Sequence, residues 1–223
     1  MKVDTEGQSG QWGDSLSIRI QLPPHSDTSE SETSDDESAE ELFFTPSPKG
    51  AFTRSSAASL MALRNLPAQA HLTLFTPCLT PAGSSSALLD NPATGDPFEL
   101  LGRELAGHHS KICHMPYVPS VGFTETHMAF VMQSDAIITV VCEPSRASKT
   151  DSMREQQDFA ETALKAFLSM PTSVPDSQEF VLIQCATGGA RHQAPLAFSN
   201  VIETSSYNAH TAGYLAGAIL GRD

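Results

Sequence analysis

DAIITVVCEP, residues 135–144, decides the fold. From Ala136 to Cys142 every residue is apolar or β-branched, with no polar residue at every second place. A strand with one wet face alternates; an uninterrupted run of this length fits a strand covered on both sides. EFVLIQC (179–185) has the same character, and shorter runs occur at LTLF (72–75), KICHMPY (111–117) and NVIETS (200–205).

Helical patterns separate these runs. DPFELLGRELAG (96–107) offers Asp96 as an N-cap and Pro97 at the first helical position, with Phe98, Leu101 and Leu105 on one face. FTETHMAFVMQ (123–133) suits a helix capped by Thr124. Ser152 and Glu155 have capping-box spacing ahead of an apolar stripe of Phe159, Ala160, Ala163, Leu164, Phe167 and Leu168. AHTAGYLAGAILG (209–221) reads as a small-residue helix. Buried strands alternating with helices predict a three-layer α/β/α sandwich around a mainly parallel sheet of about five strands, spanning residues 56–223.

Residues 1–55 differ in kind. Eight of the thirteen net negative charges fall in the first fifty residues, and SDTSESETSDDESAEE (26–41) is almost wholly acidic, Ser or Thr. Such a stretch buries too little apolar area to offset its ordering entropy, which predicts a disordered tail. Ser29, Thr33, Ser34 and Ser38 each precede an acid by three residues, and Thr45 and Ser47 each precede a proline; these are the expected phosphorylation positions. LFF (42–44) inside the tail has the character of a short docking motif.

The acidic balance, with no basic stripe, argues against a nucleic-acid partner. No apolar run reaches the ~18 residues that span a bilayer, and the N-terminus lacks the apolar core of a signal peptide. A cytoplasmic protein without a membrane partner is the expectation, and its single cysteines (Cys78, Cys113, Cys142, Cys185) read as buried hydrophobes.

Ligands of open parallel sheets gather at the carboxyl ends of the strands. The loop ATGGARH (186–192) lies at such an end, but it carries neither phosphate-loop spacing nor room for a helix before the strand at 200. As a ligand-binding loop it offers Thr187, Gly188, Gly189, Arg191 and His192. Catalytic candidates are Cys185 or Cys142 with His192, His114 or His127, and the strand-end carboxylates Glu143 and Glu203. His108, His109, Cys113 and His114 form a donor cluster, yet Lys111 interrupts it; solvated His108 and His109 beside a buried Cys113 is the reading preferred, with no metal and no cofactor.

AASLMALRNLPAQAHLTLFTP (57–77), SDAIITVVCEP (134–144) and FVLIQCATGGARHQAPLAFSNVIETSSYNAHTAGYLAGAILG (180–221) together resemble the C-terminal α/β-sandwich domain of glycoside hydrolase family 3, in its β-N-acetylglucosaminidase-like branch. In that family the catalytic groups belong to a preceding barrel of about 250 residues, and no family catalytic residue maps onto this chain. Where relatives show Pro-Tyr-Asp, this chain reads Ala186 to Ala190. The resemblance implies a non-catalytic binding or interaction module for a sugar-like ligand or a partner protein. The alternative is a hydrolase, glycosidase-type or Cys/His-based, acting on a small substrate at the strand ends.

Overall fold

The structure, a computed structural model, describes residues 50–82, 95–145, 150–171, 178–186 and 194–221. The elements run β1 (Gly50–Arg54), α1 (Ala57–Arg64), β2 (Leu72–Pro77), α2 (Glu99–His108), β3 (Ile112–Tyr117), α3 (Glu125–Val131), β4 (Ala136–Cys142), α4 (Thr150–Leu168), β5 (Glu179–Cys185), β6 (Asn200–Thr204) and α5 (Ala209–Leu220). The six expected phosphorylation positions and the loop Thr187 to His192 lie outside the described residues.

The strands form one sheet in the order β1-β6-β5-β4-β2-β3. β2 to β6 are mutually parallel, and β1 joins β6 antiparallel. The sandwich is therefore as expected, with one more strand than the sequence suggests. β1 comes from the last residues of the stretch assigned to the tail; GAFTR has a single large apolar side chain and pairs on one edge only, so it lacks the signature of a covered strand.

Successive residues of β4 and β5 point into two separate cores. Ala136, Ile138, Val140 and Cys142 of β4, with Val181, Ile183 and Cys185 of β5, meet α1, α2 and α5 through Leu63, Leu101, Leu105, Leu215 and Ile219. On the other face Ile137 and Val141, with Phe180 and Leu182, meet α4 and its Phe159, Ala163 and Phe167. Each of the larger side chains among them contributes about 1.5–3 kcal/mol on burial, which is why both central strands are predominantly apolar on both faces, with Thr139, Glu179 and Gln184 as their buried polar residues.

Two helix starts differ from expectation. α2 begins at Glu99, and Asp96 holds the turn ahead of it by accepting the Phe98 N–H at 2.8 Å. α4 already begins at Thr150, so Ser152 sits inside the first turn and accepts from the Gln156 side chain instead of capping. The Thr124 cap is found: its N–H donates to His127 Nδ1 at 3.0 Å, and α3 follows.

Two polar clusters, one buried and one half-buried, tie the sheet to its surroundings. At the amino end of the sheet, Ser59 of α1 donates to Glu179, and Asn200 donates to Ser59, Glu179 and the Phe180 carbonyl. Burial outweighs these bonds and raises the Glu179 pKa. On β1, the Arg54 guanidinium donates to the carbonyls of Pro195 (2.8 Å), Phe198 (2.7 Å) and Ala194 (3.4 Å). That clamp fixes the end of the β5–β6 crossover, whose described residues contain no helix.

Candidate functional site

In the parallel part of the sheet the chain moves outward from β2 to β3, then returns across β2 to β4. The crevice between β2 and β4 at their carboxyl ends is thus the topological switch point, where sheets of this kind hold ligands. The register shows it opening: β2 and β4 pair from Leu72↔Ala136 to Phe75↔Thr139. Beyond that level Thr76 and Pro77 follow β3, while Val140 to Cys142 follow β5.

The chain fills this crevice with its own groups. Tyr117, fully buried at the end of β3, donates its hydroxyl to the Val140 carbonyl at 2.8 Å. Its ring stacks on Phe159 at 3.8 Å between centroids. Burial first, then the neighbouring Cys142 and Cys78 thiols, hold that hydroxyl well above its usual pKa, so it stays a donor. Gln156 of α4, 0% exposed, takes the Cys142 N–H on Oε1 at 2.8 Å and returns Nε2–H to the Cys142 carbonyl at 3.0 Å. Above them the segments after β2 and β4 zip together: Ala82 N–H donates to Glu143 O at 2.6 Å, and Ser145 N–H to Thr80 O at 2.9 Å.

The expected catalytic residues are dispersed. Glu143 follows β4, half-buried, with its N–H on the Cys185 carbonyl at 2.8 Å. Glu203 lies on β6 opposite Gln184, two strands away. Two strand spacings put about 10 Å between those strands, and buried Gln184 stands between the carboxylates' positions. Cys185 is the register partner of Cys142, both thiols buried and free. Burial pushes the Cys185 thiol up to about 12, and burial followed by Cys185 pushes Cys142 well above its ordinary value. Neither thiol supplies a thiolate near neutral pH. His192 lies outside the described residues.

The histidines found elsewhere have structural partners. His127 sits among the rings of Phe75, Phe123 and Phe159. Burial lowers its pKa, although the Pro116 backbone bonds its ring. His109 departs from the expectation of a solvated side chain: it is buried, with Nε2 2.7 Å from the Ala70 carbonyl, because α2 ends there against the α1–β2 connection. Cys113 is half-buried rather than buried, since β3 is an edge strand. His108 is exposed as expected.

Beside the filled crevice lies an open one. A cavity of about 250 Å³ is bounded by Cys78 to Thr80 after β2, Gly95 to Pro97 before α2, and Pro116 of β3. Asp96 Oδ2 stands 3.5 Å from His114 Nε2, which is 2.8 Å from the Thr76 hydroxyl. The His114 ring packs beside Gly102 of α2, where an added Cβ would meet Nδ1 at 3.4 Å, in ordinary contact. Burial lowers the His114 pKa against the pull of Asp96 and Glu99. For Cys78, burial and then Asp96 raise it. A second, shallower cleft of about 310 Å³ lies between the β3–α3 loop and α4, with Gly122 turning at φ 70°.

Sequence reasoning looked to the carboxyl ends of the strands and did not single out Tyr117, Gln156 or the Cys78–Asp96–His114 group found there. Gln156 did leave a trace: it is the one polar residue in the stripe Met153, Gln156, Ala160, Ala163.

No protein-family model and no curated protein matches the sequence. Among solved structures, the chain is similar to a glycoside hydrolase family 3 β-N-acetylglucosaminidase from Paenibacillus sp. str. FPU-7, at 13% identity and TM-score 0.47, over 77% of this chain and 28% of that one. It is similar to a β-glucosidase from Listeria innocua at 14% identity and TM-score 0.46, over 76% and 24%. A β-glucosidase from Erythrobacter marinus follows at 11% and 0.42, over 77% and 27%. The chain spans about a quarter of the length of these enzymes, and its similarity to family 3 glycoside hydrolases is a likeness to a part of them.

Proposed function

We propose that this chain is a non-catalytic binding module that meets a sugar-like ligand or a partner protein at the carboxyl end of its sheet. One observation carries the reading: the β2–β4 crevice is occupied by Tyr117, bonded to the Val140 carbonyl, by Gln156, bonded to the Cys142 backbone, and by the Thr80–Ser145 backbone pairing. A reaction centre at a switch point needs reacting groups with open valences toward a substrate. Here the Tyr117 hydroxyl and the Gln156 amide are committed to the backbone of β4, while the Thr139 hydroxyl at the last β2–β4 pair is fully buried and has no hydrogen-bond partner among the described residues. Binding is then left to the cavity beside Asp96 and, on the reading of the sequence, to Thr187 to His192, which lie outside the described residues.

The test is hydrolysis of aryl N-acetylglucosaminides and aryl glucosides by the full chain, set beside titration with N-acetylglucosamine followed by amide chemical shifts. Saturable shifts without turnover support the module. Turnover that Glu143→Gln abolishes overturns it in favour of the hydrolase.

A further inference from the structure

The cavity beside Asp96 has a chemical bias of its own, and the geometry points to a small primary ammonium ion as its ligand. This goes beyond the proposed module, because it concerns the charge of what enters one cavity, whatever the chain does elsewhere.

Its described lining carries one carboxylate and no lysine or arginine. Pro97 and Pro116 have no N–H to offer. The Cys78 N–H is spent on the Tyr117 carbonyl and the Leu79 N–H on that of Pro77, each at 2.8 Å. Asp96 contributes a carboxylate whose Oδ1 takes the Phe98 N–H while Oδ2 is left to His114 at 3.5 Å. That imidazole is held toward its neutral form by burial. Among the described residues no lysine or arginine pairs with Asp96, and Arg103, on the next turn, is taken by Glu99.

An anion entering here would meet a carboxylate and no cationic side chain among the described lining residues. A neutral alcohol would gain one hydrogen bond. An ammonium group would gain a charge-assisted bond to Asp96 in a partly desolvated setting and keep two protons for the Thr80 hydroxyl or water. Leu79, Pro97 and Pro116 line the remaining wall with carbon, which suits a short alkyl chain behind the charge. The Cys78 thiol, raised first by burial and then by the nearby Asp96 carboxylate, adds no competing positive charge.

The test uses the full ¹⁵N-labelled chain, titrated with n-butylammonium, with isosteric n-butanol and with N-acetylglucosamine near neutral pH. Saturable shifts at the amides of Cys78 to Thr80, Gly95 and Asp96 are expected for the ammonium, with the alcohol several-fold weaker. Asp96→Asn keeps an acceptor for the Phe98 N–H and should weaken ammonium binding about tenfold. Added salt should weaken it in the unmodified chain, a readout that does not depend on how the variant folds. Equal affinity for n-butanol, or salt-independent binding, overturns the assignment. So does a response of these amides to N-acetylglucosamine alone, which leaves the binding module standing. Turnover of aryl glycosides would remove the module and leave the ammonium site intact.

Discussion

Gln156 stands in for a strand. Its side-chain amide meets both the N–H and the carbonyl of Cys142, at 2.8 and 3.0 Å, on the side where the β2 ladder has already ended. A buried backbone pair left open would cost roughly 1–3 kcal/mol per group. One side chain of the right shape removes that cost.

Gln156→Leu keeps the volume and loses both bonds. We expect a fall in stability of roughly 2–4 kcal/mol, since two buried groups are orphaned. Urea unfolding followed by circular dichroism measures it, and a loss below about 1 kcal/mol would mean that water takes the amide's place.

Tyr117 combines a hydroxyl and a ring, and substitutions separate them. Tyr117→Phe removes only the bond to Val140 and should cost about 1 kcal/mol. Tyr117→Ala also empties the stack on Phe159 and should cost about 3–5 kcal/mol. Equal losses would show that the hydroxyl, not the ring, holds the crevice shut.

Glu179 gives an unusual pH dependence. Its folded-state pKa is raised, by burial, above the ordinary 4.5. The folded chain therefore holds this proton more tightly than the unfolded one. The group's contribution is fully present below 4.5 and is lost as pH rises through the raised value. Glu179→Gln should flatten that part of the profile and make the protein relatively more stable at neutral pH. Urea midpoints of both forms across the acid range decide it; parallel curves would refute the effect.

His127 acts with the opposite sign. Its pKa is lowered from 6.5, with burial the leading cause, so protonation favours the unfolded chain. Stability from this group is present above 6.5 and is lost as pH falls below it. Protonation would also take Nδ1 from the Thr124 N–H and hydroxyl, both within 3.0 Å. His127→Gln should remove the downward bend below pH 6.5 in a stability profile, and the ring's own titration can be followed by NMR.

Arg54→Met should release the crossover. The guanidinium serves three carbonyls between Ala194 and Phe198. Its half-exposed position limits the expected loss to about 1–2 kcal/mol. Faster amide exchange confined to Phe198–Val201 would locate the effect there, whereas a uniform change would not.

What the sequence disclosed follows from where its information is local. β4 and β5 were legible because both of their faces are covered, which leaves an unbroken apolar run. The Thr124 cap was legible because cap and helix are neighbours in the chain. Tyr117 and Gln156 were not, because their partners Val140 and Cys142 lie 23 and 14 positions away and the need for them arises only from strand order. Asp96 was seen as an N-cap because its spacing from the helix suits one; the real helix starts later, and the carboxylate is left facing His114. The pair Glu143 and Glu203 looked promising as strand-end acids, but only the register reveals that β5 runs between them.

The edge pairing of β1 with β6 also sets an order of events. Arg54 and the Phe198 carbonyl it binds are 144 positions apart. A chain emerging from the ribosome cannot close that contact until nearly all of the domain has been made. β2, β3 and β4 find their neighbours over far shorter separations and can condense first. β1 is then the last strand to dock. Any process that acts during synthesis meets a nearly finished sheet whose sixth strand still has one edge unpaired.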